Sequence, residues 1–120
     1  MATKDALGRR GEDAAALLLA GEGWTLVARN WRCREGELDI VAVDGADLVV
    51  VEVKTRSSEL YGHPLEAVDD RKRRRLLRLA AAWAAEHPGH ARGRRLRVDA
   101  IAVTGRSPET FVLEHLRDVR

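Results

Sequence analysis

Residues 37–56 read ELDIVAVDGADLVVVEVKTR, and this stretch decides the fold. Its first part, Glu37–Val43, alternates polar and apolar residues before turning apolar. Its second part, Leu48–Thr55, is dominated by Val49, Val50, Val51 and Val53. Both have the β-branched content of strands, and Asp44-Gly45 between them marks a hairpin. The second strand is apolar on both faces at its start, which predicts a central strand covered on both sides.

With residues 44–47 as the loop, Val43 faces Leu48. Counting back then sets Asp39 opposite Glu52 and Glu37 opposite Lys54. Successive strand residues point to opposite faces, so Glu52 and Lys54 share a face. Directly opposed Cβ atoms lie about 4.5–5.5 Å apart, and like charges at that distance destabilise the pair. Asp39 facing Glu52 therefore calls for compensation. A hard divalent cation such as Mg²⁺ or Mn²⁺ supplies it through oxygen ligands. Two carboxylates, a cation and the Lys54 ammonium suit phosphodiester hydrolysis. The alternative is a solvated salt-bridge ladder with Glu37–Lys54 as one rung, which leaves Asp39 and Glu52 unexplained.

Outward from the hairpin, Leu7, Ala14, Ala15 and Leu18 recur at helical spacing and predict a first helix over about 5–21. Trp24–Arg32 reads as a strand. A loop over 56–65 precedes a second helix from about Pro64 to Glu86, with Val68, Leu76, Leu79, Ala80, Trp83 and Ala84 on its inner face and Pro88-Gly89 as its stop. Arg95–Val103 and Thr110–Leu116 read as two more strands. The predicted order is αβββαββ in a single domain, 1–120.

The 120 residues are 45% hydrophobic and 33% charged, a globular balance that excludes a disordered chain. Cys33 is the single cysteine, so no internal disulfide forms and a reducing, cytoplasmic setting is expected. The run Ala14–Ala20 follows Arg9 and Arg10 in the manner of a signal peptide. Glu12 and Asp13 directly before it favour a helix face instead. No stretch is long enough to span a membrane.

Net charge is +2, unevenly placed. Residues 69–97 hold ten Lys/Arg against three Asp/Glu, while the remainder is acidic. An acidic region beside a basic one fits metal in one place and polyanion in the other. Arg71, Lys72, Arg73, Arg74, Arg75 and Arg78, together with Arg92, Arg94, Arg95 and Arg97, are candidates to track a nucleic-acid backbone without reading sequence. Arg9, Arg10 and Arg56 are candidate phosphate contacts beside the site. The chain has 18 Arg but three Lys, so a lysine in a suggestive place carries more weight than an arginine. His63, His87, His90 and His115 lack metal spacing, and His87 and His90 read as helix-terminal caps.

The ordered set Gly8-Arg9-Arg10-Gly11-Glu12, Glu37-Leu38-Asp39-Ile40-Val41, Val51-Glu52-Val53-Lys54-Thr55-Arg56, Tyr61-Gly62-His63-Pro64, Glu66-Ala67-Val68 and Arg97-Val98-Asp99 resembles a known signature. It is that of the PD-(D/E)xK nuclease superfamily. More closely, it resembles the small YraN-type bacterial family, itself similar to archaeal Holliday junction resolvases. The resemblance implies a restriction-endonuclease-like αβββαβ core, a mixed central sheet flanked by helices. It implies Asp39 and Glu52 as metal-binding carboxylates, Lys54 as catalytic lysine and Glu12 as the residue completing the site. It also implies Mg²⁺ or Mn²⁺, DNA as partner and a homodimer. Leu38 stands where the superfamily name has proline. A non-catalytic nucleic-acid-binding protein or subunit that keeps the fold is the rival expectation.

Overall fold

The computed structural model describes residues 3–58, 63 and 68–119. Helix α1 (Thr3–Gly21) leads into three strands, β1 (Thr25–Cys33), β2 (Gly36–Asp44) and β3 (Asp47–Arg56). Helix α2 (Asp70–Glu86) and a single turn, α3 (Pro88–Ala91), precede β4 (Arg95–Thr104) and β5 (Val112–Leu116). The strands lie in sequence order in one five-stranded sheet. β3 and β4 are parallel and the other neighbours antiparallel. The architecture is mixed α/β, with helices on both faces of the sheet.

The hairpin is tighter than a 44–47 loop but keeps the expected register. Asp44 pairs with Asp47, Val43 with Leu48, and pairing continues to Ile40 with Val51. Gly45, first of the two loop residues, has φ +58°, where glycine carries no Cβ penalty.

The valine run is explained by two cores. Leu48 and Val50 meet Leu76, Leu79, Ala80 and Trp83 of α2 on one face. Val49 and Val51 meet Ala15, Ala16 and Leu19 of α1 on the other. β3 is thus central and covered on both sides, as its sequence predicts. The α1 stretch that mimics a signal peptide is a packed helix face, and no helix among the described residues is long and apolar enough to cross a membrane.

Three boundaries differ from expectation. The second helix starts at Asp70: Asp69 caps it by accepting from Lys72 N–H at 2.9 Å, and Val68 precedes the cap. Pro64–Ala67, which the sequence placed in this helix, lie outside the described residues, as do Tyr61 and Gly62. Pro88 ends α2 but also opens α3, because proline at the first helical position loses no hydrogen bond. β5 starts at Val112; Pro108–Thr110 form a 3₁₀ turn held by the Thr110 hydroxyl on Ser107 O at 3.0 Å. His87 caps α2 as expected, with its ring stacked on Trp83 at 3.9 Å.

Candidate functional site

β2 and β3 stop pairing one step before the residues of interest. Beyond Ile40–Val51 the Asp39 carboxylate takes over, accepting the Val53 N–H at 2.9 Å. The alternation of β2 slips there as well. Leu38 and Val41 pack on the α2 side, whereas Ile40 packs on the α1 side. Past this local opening the Asp39 and Glu52 side chains line one cleft, close enough for the Glu52 charge to act on Asp39.

Glu52 is 6% exposed and ends an otherwise apolar run. Its Oε2 receives two ammonium groups, Lys54 Nζ at 3.0 Å and Lys72 Nζ at 3.3 Å. Lys54 is two residues along the same face of β3. Lys72 reaches in from the first turn of α2. Asp39 is half-buried, and its pKa is pushed up to about 7. Burial is the main cause and the Glu52 charge the second; the Val53 N–H opposes both, and the Glu12 charge adds to the rise. Near neutral pH, Asp39 therefore holds a proton for part of the time.

These groups line a cleft of about 280 Å³ that also includes Glu37, Arg75 and Leu76. A neighbouring depression shares Glu37, Val53 and Lys54 with it and carries Arg9, Glu12 and Arg56. Asp39, Glu52 and Lys54 are thus brought together as the sequence predicts, with Arg9 and Arg56 on the adjoining rim. Arg10 lies one step further out, beside Glu12 and Arg29. The Glu37–Lys54 rung of the alternative salt-bridge ladder does not form. Glu37 pairs with Arg32 across the strands at 2.6 Å, and Lys54 turns to Glu52.

Glu12 does not join the other two carboxylates. It pairs with Arg29 Nη2 at 3.1 Å, and the same nitrogen meets Asp13 at 2.8 Å. Among the described residues no three His, Cys, Asp or Glu side chains are grouped to hold a metal ion. The three-carboxylate set expected from the resemblance is therefore two carboxylates with Glu12 held alongside. A third like charge is repelled while Arg29 offers a partner. Its position is nonetheless fixed. A Cβ on Gly11 would collide with the Thr55 side chain, so the preceding glycine lets α1 lie close on β3. The sequence signal was available: glycine inside a helix costs about 1 kcal/mol against alanine and asks for a reason.

The basic segment does not form one surface. Lys72 and Arg75 face the cleft, and Arg75 also donates to Glu35 O at 3.1 Å. Arg74 is exposed. Arg73 leans toward Val98 and Val119, and its Nε is buried without a hydrogen-bond partner among the described residues. In the second arginine run, Arg97 is turned into the fold, while Arg92 and Arg95 stay exposed. Arg97 is 8% exposed and binds Asp44, Asp47 and Asp99 at 2.8–3.1 Å, while Arg95 pairs with Asp47. Asp99 is fully buried; despite that burial, His115 and Arg97 hold its pKa below the usual range. This cluster belongs to the start of β3 and β4, at the opposite end of those strands from Lys54.

The fold and cleft define a mixed α/β protein with a paired-carboxylate, lysine-rich site on a central strand. A family model described as "Uncharacterised protein family UPF0102" matches residues 11–103, a span that holds Glu12, Asp39, Glu52, Lys54 and Lys72. Relatives named UPF0102 protein come from Beutenbergia cavernae, 54% identical over 99% of both chains, and an Arthrobacter species, 53% identical over 99% of both. Another, from Frankia casuarinae, is 54% identical over 98% of both chains. The chain belongs to the UPF0102 family.

Proposed function

We infer that this protein is a metal-dependent nuclease of restriction-endonuclease-like type, hydrolysing DNA phosphodiester bonds. One observation carries the reading: Asp39 and Glu52 line the same cleft at the point where two strands part, and Lys54 lies on the second of them. The donor set fits a hard divalent cation. Two hard carboxylates line one cleft, and burial with the Glu52 charge holds the Asp39 pKa up at about 7, a rise that a bound cation would oppose. Asp39 and Glu52 would hold Mg²⁺ or Mn²⁺, which supplies Lewis acidity and a more acidic bound water. Lys54 places a positive charge where negative charge develops on the phosphoryl oxygens. Arg9 and Arg56 on the rim position the backbone electrostatically.

A binding role without turnover is favoured by a different observation, the pairing of Glu12 with Arg29. Cleavage of linear, flapped and four-way DNA in Mg²⁺ and in Mn²⁺, with wild type, Lys54→Ala and Asp39→Asn, separates the two. Metal-dependent cleavage lost in both variants supports the enzyme. Tight binding with no cleavage on any substrate supports the binder.

A further inference from the structure

Two of the chain's three lysines converge on a single carboxylate oxygen, Glu52 Oε2. Their nitrogens lie no more than about 6 Å apart and repel each other, so the arrangement exists only because Glu52 attracts both. Lys72 is also in an unfavourable place on its own helix. It stands three residues beyond the Asp69 cap, where a cation opposes the positive end of the macrodipole. Neither helix stability nor solvation accounts for a lysine turned inward here. Its side chain is 30% exposed and Glu52's is 7%.

A divalent ion at Asp39 and Glu52 changes the balance. Two carboxylates then face the metal and two ammonium groups, an excess of positive charge in a small cleft. Lys54 is tied to Glu52 by its place two residues along the same strand. Lys72 belongs to another element and has four rotatable bonds with which to leave. The geometry points to Lys72 as a resident counter-ion for Glu52: it competes with the divalent metal, and once displaced it carries its charge to the DNA phosphate at the cleft mouth. This inference rests on the metal site proposed above and adds to it a lysine that regulates metal entry and then binds substrate.

Titration calorimetry of Mn²⁺ into metal-free wild type, Lys72→Gln, Lys72→Arg and Asp39→Asn tests it, with DNA affinity measured in Ca²⁺ on a short duplex. Lys72→Gln should bind Mn²⁺ about tenfold more tightly, because its competitor is gone. Lys72→Arg keeps the competing charge and should stay near wild type. Lys72→Gln should also bind the duplex more weakly, with a salt slope shallower by about one phosphate contact. Mn²⁺ affinity that is unchanged or weaker in Lys72→Gln overturns the inference while leaving the metal site intact. Mn²⁺ binding by Lys72→Gln but not by wild type supports it strongly. No binding by either protein overturns both the inference and the metal site.

Discussion

Asp39→Asn should stabilise the metal-free protein at alkaline pH. In the native state the Asp39 pKa is pushed from 3.8 to about 7 by burial and by the Glu52 charge. An acid whose pKa is raised on folding contributes stability that is fully present below its unfolded pKa. That stability is lost as pH rises through the folded one. The metal-free wild type should therefore weaken between about pH 4 and pH 7, and stay weakened above. A shift of roughly three units at about 1.4 kcal/mol each sets an upper bound near 4 kcal/mol; partial exposure reduces this to about 2–4 kcal/mol. Asparagine keeps the shape and still accepts the Val53 N–H, but carries no charge. At pH 8 in EDTA its midpoint should exceed wild type by about 8–15 °C, and the difference should narrow steadily as pH falls toward 4.5. Mn²⁺ should then raise the wild-type midpoint and leave the variant unmoved. Glu52→Gln should behave in the opposite way, since it leaves Lys54 and Lys72 facing each other without their anion. Calorimetric scans from pH 4.5 to 8.5 measure all of this. A variant less stable than wild type at pH 8, or two parallel pH profiles, would refute the account of the Asp39–Glu52 pair.

Lys54→Ala should lower cleavage by about 10²–10³ while Mn²⁺ still raises its melting midpoint, as read from initial rates and thermal scans. Gly11→Ala should cost about 1–3 kcal/mol in denaturant titrations despite alanine's better helix propensity, because the new methyl strikes Thr55. Arg97→Ala should cost about 3–5 kcal/mol by leaving buried Asp99 short of a partner, with no change in the salt slope of DNA binding. Replacing Arg73, Arg74 and Arg75 together should flatten that slope in fluorescence anisotropy titrations, with Arg74 and Arg75 accounting for most of it.

The hairpin was legible because its determinants are local. Valine content marks the strands and Gly45 the turn, and together they fix the register as far as Ile40–Val51 without reference to the rest of the chain. The opening beyond it, which sets the Asp39 side chain on the Val53 N–H, is not a pattern that the residues show. Lys72 was legible only as one more positive charge on a basic helix. Which residue of α2 enters the cleft depends on how the helix is rotated and where it begins. The beginning was obscured by Pro64, a plausible first helical residue, although Asp69 provides the cap. Arg97 failed for a related reason. A run of arginines reads as solvated, and the acids that bury this one come from the β2–β3 hairpin and from β4 itself. That convergence depends on the parallel register of β3 with β4, which no turn encodes. The resemblance brought Glu12 to the right neighbourhood but could not reveal that Arg29 holds it.

The position of Asp39 connects these observations. A continuous sheet would leave Glu12, carried on the α1 face, separated from Glu52, Lys54 and Lys72 on the α2 face. The strands part only where something else satisfies the freed backbone, because a buried N–H without a partner is costly. Asp39 meets that need by accepting the Val53 N–H with one carboxylate oxygen. The same placement sets it within reach of the Glu52 and Glu12 charges. Opening the sheet and assembling the acidic site are therefore one structural event. A neutral residue able to accept that bond, such as asparagine, would keep the opening but remove the need for a cation. A residue unable to accept it would remove the compensation for the opening itself. Asp39 serves both the backbone and the cleft, and its two isosteric fates, protonation and substitution by asparagine, separate those roles.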